Sequence, residues 1–138
     1  MKFTRQASAN WKGTGKEGVG TVSTQSATLD NAQLSFNTRF ADGVGTNPEE
    51  LIGAAHAGCF SMQFSFILNE SGFTADNIDT NAKVLFEDGT ITNIHLDLTA
   101  KIPNITDEQF QEAALAAKVK CPISRLLKAE ITLTATLA

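Results

Sequence analysis

The arrangement of apolar and β-branched residues predicts short strands in the first third of the chain. Residues 2–10 and 17–25 have strand-like composition and are joined by a turn rich in glycine and polar residues, so they are expected to form a hairpin. Residues 33–40, with the sequence QLSFNTRF, are predicted as a third strand that ends at the loop ADGVG.

A long helix is predicted over the stretch TNPEELIGAAHAGCFSMQFSFILNESG, residues 46–72. Asn47 is a good N-cap, Pro48 suits the first helical position, Glu50 falls where it can close a capping box, and Gly72 is a natural stop. Apolar residues point in most directions, so we expect a buried central helix, about 36 Å long, with part of its apolar surface against a second chain. The polar residues that interrupt it argue against a membrane span.

The second half of the chain returns to strands after this helix. The pattern predicts a second hairpin over residues 77–88 and 90–102, and then an amphipathic helix over 105–120 that is capped by Thr106 with Gln109 at N3. A short helix over 121–129 and a final strand over 130–138 are predicted to follow. No repeat, low-complexity run or linker divides the chain. The predicted fold class is therefore α+β, with residues 1–138 as a single domain.

Composition and charge narrow the classes of function. A chain of 138 residues with 42% hydrophobic and 19% charged residues is typical of one soluble globular domain. The net charge of −4 is spread along the chain and no basic run is present, which argues against nucleic-acid and membrane partners. The N-terminal residues contain no continuous apolar segment, so no secretory signal or anchor is expected and the default location is the cytoplasm.

Three glycines of the first predicted turn have the spacing of a dinucleotide-binding motif. Gly13, Gly15 and Gly18 form G-x-G-x-x-G, which binds a cofactor where a helix follows a strand. The residues that follow, TVSTQ, continue as a strand instead. The glycines are therefore interpreted as turn chemistry, and no cofactor is expected.

The two cysteines are the strongest candidates for chemistry. A static disulfide between Cys59 and Cys121 is not expected in a reducing compartment. Cys59 lies near the middle of the long helix, where it is either a small buried apolar residue or a reactive thiol with a second thiol to resolve it. Cys121 precedes Pro122, at or beside the N-cap of the short helix, where a thiolate is stabilised. Two cysteines and two histidines, His56 and His95, could in principle bind zinc. No pair of them has the short spacing that is usual for zinc ligands, so no metal is expected.

Several of these segments together resemble the OsmC family, named for an osmotically inducible protein. They are FNTRF before the helix, the helix start NPEEL, the cysteine in HAGCFSM and the Cys-Pro pair in KCPISRLLKAEITLTATL. The resemblance covers essentially the whole chain and implies an OsmC-like fold with an intertwined homodimer. The histidine in GAAHAGCF is similar to the OsmC branch rather than to the related organic hydroperoxide resistance proteins.

The resemblance implies a thiol-dependent peroxidase that reduces organic hydroperoxides, and hydrogen peroxide less well, without metal, haem or flavin. Cys59 matches the peroxidatic cysteine, whose thiolate attacks the peroxide while an alcohol leaves. Cys121 would capture the resulting sulfenic acid as an intramolecular disulfide. An external dithiol would then restore both thiols.

Arg39 in FNTRF and Glu49 in NPEEL match an arginine and a glutamate that the family uses at this site. A guanidinium lowers the pKa of a nearby thiol, and a carboxylate can hold that guanidinium through a bidentate contact. The alternatives are a solvated strand-end cation and a carboxylate that complements the helix dipole, and Glu50 could exchange roles with Glu49. Glu49 and Cys59 are ten residues apart, about 15 Å along the helix, so a partner subunit is expected to complete the site.

Apolar residues near these positions are candidates for a pocket that holds an alkyl or aryl group, with plain core packing as the alternative. They are Phe36, Phe40, Phe60, Met62, Phe64 and Ile123. His56, one turn before Cys59, either polarises the thiol or is a hydrogen-bonded structural histidine. The alternative function is a non-catalytic dimer of the same fold that senses redox state or holds an apolar ligand.

Overall fold

Three antiparallel strands and a short helix make up the first of two units, residues 1–51, into which the structure divides. The computed structural model describes all residues from 1 to 138. The strands are β1 (Ala7–Lys12), β2 (Val19–Thr24) and β3 (Ala32–Ser35), in the sheet order β1-β2-β3. The predicted hairpin is confirmed, although both of its strands are shorter than predicted.

The predicted third strand is wrong over its second half, where the chain forms helix α1 (Phe36–Phe40). Ser35 caps this helix: its hydroxyl accepts from the backbone N–H of Thr38 at 3.2 Å. The Thr38 hydroxyl in turn accepts from the backbone N–H of Ser35 at 2.8 Å, which completes a capping box. This reciprocal contact satisfies two backbone donors and favours the helical turn over continued strand.

The glycines of the first turn make room for the indole of Trp11. A Cβ atom on Gly18 would lie 2.6 Å from the carbonyl oxygen of Lys12 and 2.8 Å from Nε1 of Trp11. The Trp11 N–H donates to the carbonyl oxygen of Thr14 at 3.2 Å. A Cβ atom on Gly15, in contrast, would meet no atom within 4 Å. Strand β2 follows the turn, so the interpretation of these glycines as turn chemistry is confirmed.

The long helix α2 (Pro48–Glu70) has the predicted ends. The backbone N–H of Glu50 donates to the Asn47 side chain at 2.8 Å, so Asn47 is the N-cap. The Glu50 carboxylate accepts from the Thr46 hydroxyl at 2.6 Å rather than closing the expected capping box. At the C-terminus, Gly72 has a φ of 86° and Phe73 N–H donates to the carbonyl oxygen of Leu68, as in a Schellman motif.

One face of α2 is buried and the other carries exposed apolar side chains. The buried face consists of Gly53, His56, Phe60, Phe64, Ile67 and Leu68. Met62 and Phe66 are 64% and 59% exposed, so the helix is central as predicted but is not buried all round. Its length and hydropathy alone would also suit a membrane span, a test that core helices of soluble proteins pass too.

The second unit, residues 52–138, contains the hydrophobic core beneath α2. Its strands are β4 (Asn77–Glu87), β5 (Thr90–Lys101) and β6 (Glu130–Leu137), in the order β4-β5-β6. β4 and β5 form the predicted antiparallel hairpin, and β5 pairs with β6 in parallel. A parallel pair needs a crossover, which here is α3 (Asp107–Lys120) followed by α4 (Pro122–Leu126).

Alternation along β5 separates the core from a polar sheet face. Ile94, Leu96 and Leu98 are buried, while His95 and Asp97 between them face the other side, where His95 bonds to Thr132 and Asp97 pairs with Lys83. The helices α2 and α3 cover the apolar face, with Phe64 and Phe110 in edge-to-face contact at 5.8 Å. The structure confirms the α+β class, and a single domain over residues 1–138 stays a prediction.

We predict that glycine-to-alanine substitutions at two positions of this turn, Gly18 and Gly15, differ in their effect on stability. Gly18→Ala forces a methyl group against backbone atoms and the Trp11 ring, so it should lower the free energy of unfolding by about 1–3 kcal/mol. Gly15→Ala enters open space and should change it by less than about 0.5 kcal/mol. Denaturant unfolding measures both. Equal destabilisation by the two variants would contradict a packing role for Gly18.

Candidate active site

The two thiols predicted to react together are neighbours in the folded chain. Cys59 lies on α2 and Cys121 lies at the junction of α3 and α4, yet their sulfur atoms are 3.1 Å apart. Both are free thiols; Cys121 is fully buried and Cys59 is half-buried. A disulfide needs an S–S distance of about 2.05 Å, so a small movement would join them.

The junction that carries Cys121 is fixed by backbone hydrogen bonds. Cys121 ends α3, where its N–H donates to the carbonyl oxygen of Ala117 at 2.9 Å, and it is also the N-cap of α4. The predicted N-cap position is therefore confirmed. Its side chain makes no capping hydrogen bond. The backbone of Ile123, in the first turn of α4, is instead hydrogen-bonded to the sulfur of Cys59.

The environment within the chain makes Cys59 a weaker acid than an ordinary cysteine. Burial raises the pKa of the Cys59 thiol because it disfavours the thiolate. The backbone hydrogen bond from Ile123 opposes this effect, and the neighbouring Cys121 thiol adds to it, so the net pKa is raised. A thiolate nucleophile at this position needs additional positive charge.

His56 is a buried, hydrogen-bonded residue one helical turn before Cys59. Its Nε2 lies 2.7 Å from the Ser124 hydroxyl on α4, and the residue has no exposed surface. Burial lowers the pKa of His56, which favours the neutral imidazole. This contact supports the structural alternative for His56. Ser124 was not singled out from the sequence, because nothing in CPISR marks a serine that meets a helix 68 residues earlier.

The first unit contains the predicted ion pair between Arg39 and Glu49. Arg39 Nη2 lies 2.8 Å from Glu49 Oε1, and Arg39 Nε donates to the same oxygen at 3.1 Å. Glu49 is therefore the carboxylate that holds the arginine. The carboxylate of Glu50 instead accepts a hydrogen bond from the Thr46 hydroxyl. The arginine is on α1 and the glutamate is in the first turn of α2, so the capping of both helices sets the geometry of the pair.

A cavity of about 260 Å³ in the first unit is lined by aromatic residues and Arg39. Phe36 and Phe40, both predicted to contact substrate, lie on its wall with their ring centres 4.9 Å apart. The Arg39 guanidinium carbon lies 5.1 Å from the Phe40 ring centre, within cation–π range. Trp11 also lines the cavity, and the sequence prediction missed it.

The other four candidates for the pocket, Phe60, Met62, Phe64 and Ile123, lie in the second unit. Phe60 is fully buried, with its ring stacked 6.2 Å from that of Phe64, which supports the core alternative for this residue. Ile123 is half-buried and packs against the edge of the core. Its backbone is hydrogen-bonded to the sulfur of Cys59.

Residues 41–136 match the family model described as OsmC, OsmC-like protein. The chain belongs to the OsmC-like family.

Three relatives show how far this membership extends. Peroxiredoxin OsmC of Escherichia coli is 47% identical over 137 residues, or 96% of each chain. Organic hydroperoxide resistance protein-like 1 of Staphylococcus epidermidis is 30% identical over 95 residues, which cover 66% of this chain and 68% of that one. The crystal structure of the organic hydroperoxide resistance protein OhrB of Bacillus subtilis has 25% identity and a TM-score of 0.68, covering 99% and 98% of the two chains.

Within this OsmC-like chain, the site residues fall into two groups. Cys59, Cys121 and His56 belong to the second unit, whereas Arg39 and Glu49 belong to the first. The first group has two neighbouring thiols, and the pKa of Cys59 is raised. The arginine group has the cation and an aromatic cavity. Each group therefore has the chemistry that the other lacks.

Proposed function

We propose that this chain is a cysteine-dependent peroxidase that reduces organic hydroperoxides. The observation that carries the proposal is the 3.1 Å separation of two free sulfur atoms, 62 residues apart in sequence. Two thiols at this distance suit a nucleophile and a resolving partner. The names of its relatives, Peroxiredoxin OsmC and organic hydroperoxide resistance protein-like 1, support the same chemistry.

The proposed reaction consumes one peroxide and two thiols. The Cys59 thiolate attacks one peroxide oxygen, the O–O bond breaks, and the organic part leaves as an alcohol after taking up a proton. Cys59 is then a sulfenic acid, and the Cys121 thiol displaces its hydroxyl group as water to form the disulfide. An external dithiol reduces the disulfide and is itself oxidised. Cys121 is assigned the second step because it is fully buried, whereas Cys59 is partly accessible to peroxide.

The proposed activating charge is Arg39 of a second copy of the chain. Burial raises the pKa of Cys59, and a guanidinium would offset that effect. Ten residues of α2 separate Glu49 from Cys59, about 15 Å of helix, so a partner chain is better placed to supply the pair. The exposed Met62 and Phe66 on α2 offer an apolar surface for that partner. The functional molecule is accordingly a homodimer with shared sites.

The aromatic cavity is proposed to hold the organic part of the peroxide. Trp11, Phe36 and Phe40 offer apolar faces, while Arg39 on the same wall can bind the polar peroxide end. Glu49 holds the guanidinium in place through its Nε and Nη2 groups. A bulky apolar substrate would gain from this wall, and hydrogen peroxide would not.

We expect purified wild-type protein to consume cumene hydroperoxide catalytically with a dithiol, and Cys59→Ser to lose this turnover. Cys121→Ser should accumulate the sulfenic acid and overoxidise, because no second thiol captures it. Mass spectrometry after one equivalent of peroxide follows both states. A wild-type protein that oxidises once and is not reduced by any dithiol would favour the non-catalytic sensor or binder over the enzyme.

The shared site predicts complementation between two inactive variants. Cys59→Ser and Arg39→Gln should each be nearly inactive as homodimers. Co-expressed with different affinity tags in equal amounts, half of the dimers would be mixed and would have one complete site of two, so about a quarter of wild-type activity should return. The purified mixed dimer should have about half. Absence of any recovery in a mixed dimer of confirmed composition would place both residues of one site on one chain.

Trp11→Ala should raise KM for cumene hydroperoxide about five- to tenfold, because an aromatic contact is lost. KM for hydrogen peroxide should not change. Trp11→Phe should keep most of the affinity, and Phe3→Ala is a matched control, since Phe3 is an exposed aromatic outside the cavity. Steady-state kinetics with both peroxides measures the effect. An equal rise in KM for both substrates would contradict a role of Trp11 in holding the organic group.

A further inference from the structure

The short helix α4 sets two contacts at the sulfur of Cys59. Its N-cap is Cys121, whose sulfur lies 3.1 Å from that of Cys59, and its first turn contains Ile123, whose backbone is hydrogen-bonded to the same sulfur. α4 has only five residues, and none of them is buried. A helix this short gains little stability of its own, so its position depends on contacts with the rest of the unit.

His56 makes such a contact from the helix that carries Cys59. The side chain has no exposed surface, and its Nε2 lies 2.7 Å from the hydroxyl of Ser124, in the middle of α4. His56 and Cys59 are one turn apart on α2, while Ser124 lies between Ile123 and Arg125 on α4. The hydrogen bond therefore joins the segment that holds the first sulfur to the segment that holds the second.

The unpaired nitrogen of the ring indicates how this hydrogen bond is arranged. His56 Nδ1 is buried and has no hydrogen-bond partner. Burial lowers the pKa of His56, which favours the neutral ring with a single N–H. An orphaned buried N–H is costly and rare. With its proton on Nε2, the ring donates to the Ser124 hydroxyl and leaves only a bare acceptor at Nδ1.

We propose that His56 and Ser124 form a positioning latch that holds α4 against α2, and so keeps Cys121 and the Ile123 backbone at the sulfur of Cys59. Neither latch residue touches the reacting atoms. The inference rests on the proposed function, because a fixed second thiol matters when the two thiols react in sequence. The latch itself can be tested without a peroxide.

Equilibration with glutathione measures how readily Cys59 and Cys121 form a disulfide, which depends on the position at which the latch holds Cys121. One oxidised glutathione takes two electrons from the two thiols, forming the protein disulfide and two reduced glutathiones. Ser124→Ala and His56→Leu each remove one hydrogen bond. Each should lower the equilibrium constant for formation of the protein disulfide about five- to tenfold. The double variant should lose no more than either single variant, since both remove one contact.

A second readout separates positioning from general stability. In a Cys121→Ser background, the rate of Cys59 alkylation is followed against pH. If Ser124→Ala loosens α4, the Ile123 hydrogen bond weakens, the pKa of Cys59 rises and the curve moves to higher pH. Mere loss of stability would lower Tm and leave the curve in place.

Two further variants sharpen the test. His56→Gln keeps an N–H donor and should restore much of the disulfide equilibrium relative to His56→Leu. His95→Gln is the matched control: His95 also has a 2.7 Å hydrogen bond to a hydroxyl, that of Thr132, but on the polar face of the sheet. It should leave the disulfide equilibrium and the alkylation curve unchanged.

The outcomes distinguish the latch from the enzyme function. If Ser124→Ala keeps both the wild-type equilibrium and the wild-type alkylation curve, the latch is wrong even where wild-type protein turns over peroxide. If the latch variants shift both readouts while wild-type protein shows no peroxide turnover, the latch stands and the proposed function fails. Ser124→Ala removes only a hydroxyl from a half-buried position, so it keeps the test open even if His56→Leu does not fold.

Discussion

The close approach of two sulfur atoms, one fully buried and one half-buried, is the constraint on which the second unit of this protein depends. A separation of 3.1 Å across 62 residues of sequence requires that α2 and the junction of α3 and α4 meet at one fixed point. Apolar packing supplies most of that order, since Phe60, Phe64 and Phe110 fill the core between the helices and the sheet. The parallel pairing of β5 and β6 contributes as well, because it makes the chain cross over through α3 and α4.

The same burial that brings the thiols together works against the reactivity of Cys59. Burial disfavours the thiolate and therefore raises the pKa of Cys59. The single backbone hydrogen bond from Ile123 does not reverse this rise. The proposed peroxidase reaction needs a cation at this thiol, and the proposed source is Arg39, which pairs with Glu49 in the first unit. The physical reason to propose a shared site is this imbalance of charge.

Sequence reasoning succeeded where the deciding interactions are local. Asn47, Pro48 and Gly72 mark the ends of α2, and Thr106 with Gln109 forms the predicted capping box of α3. The prediction of a strand was wrong at α1, because the residues there have strand-like composition and the Ser35–Thr38 capping box was not recognised. Sequence reasoning also missed Trp11 and Ser124, because a cavity wall and a hydrogen bond 68 residues apart in sequence are set by tertiary packing. Arg39 and Glu49 were found through the family resemblance, and only the structure separated Glu49 from Glu50.

The two steps of the proposed reaction place different demands on the fold. Disulfide formation needs proximity, and the sulfur atoms already lie about 1 Å from bonding distance, so little of the structure has to move. Thiolate formation needs charge, and the environment of Cys59 within the chain opposes it. Reaction with peroxide is therefore the step that a second copy of the chain can accelerate most. The proposed resolving step depends instead on the contact between α2 and α4. There the hydrogen bond from His56 to Ser124 holds α4, which is too short to be stable on its own.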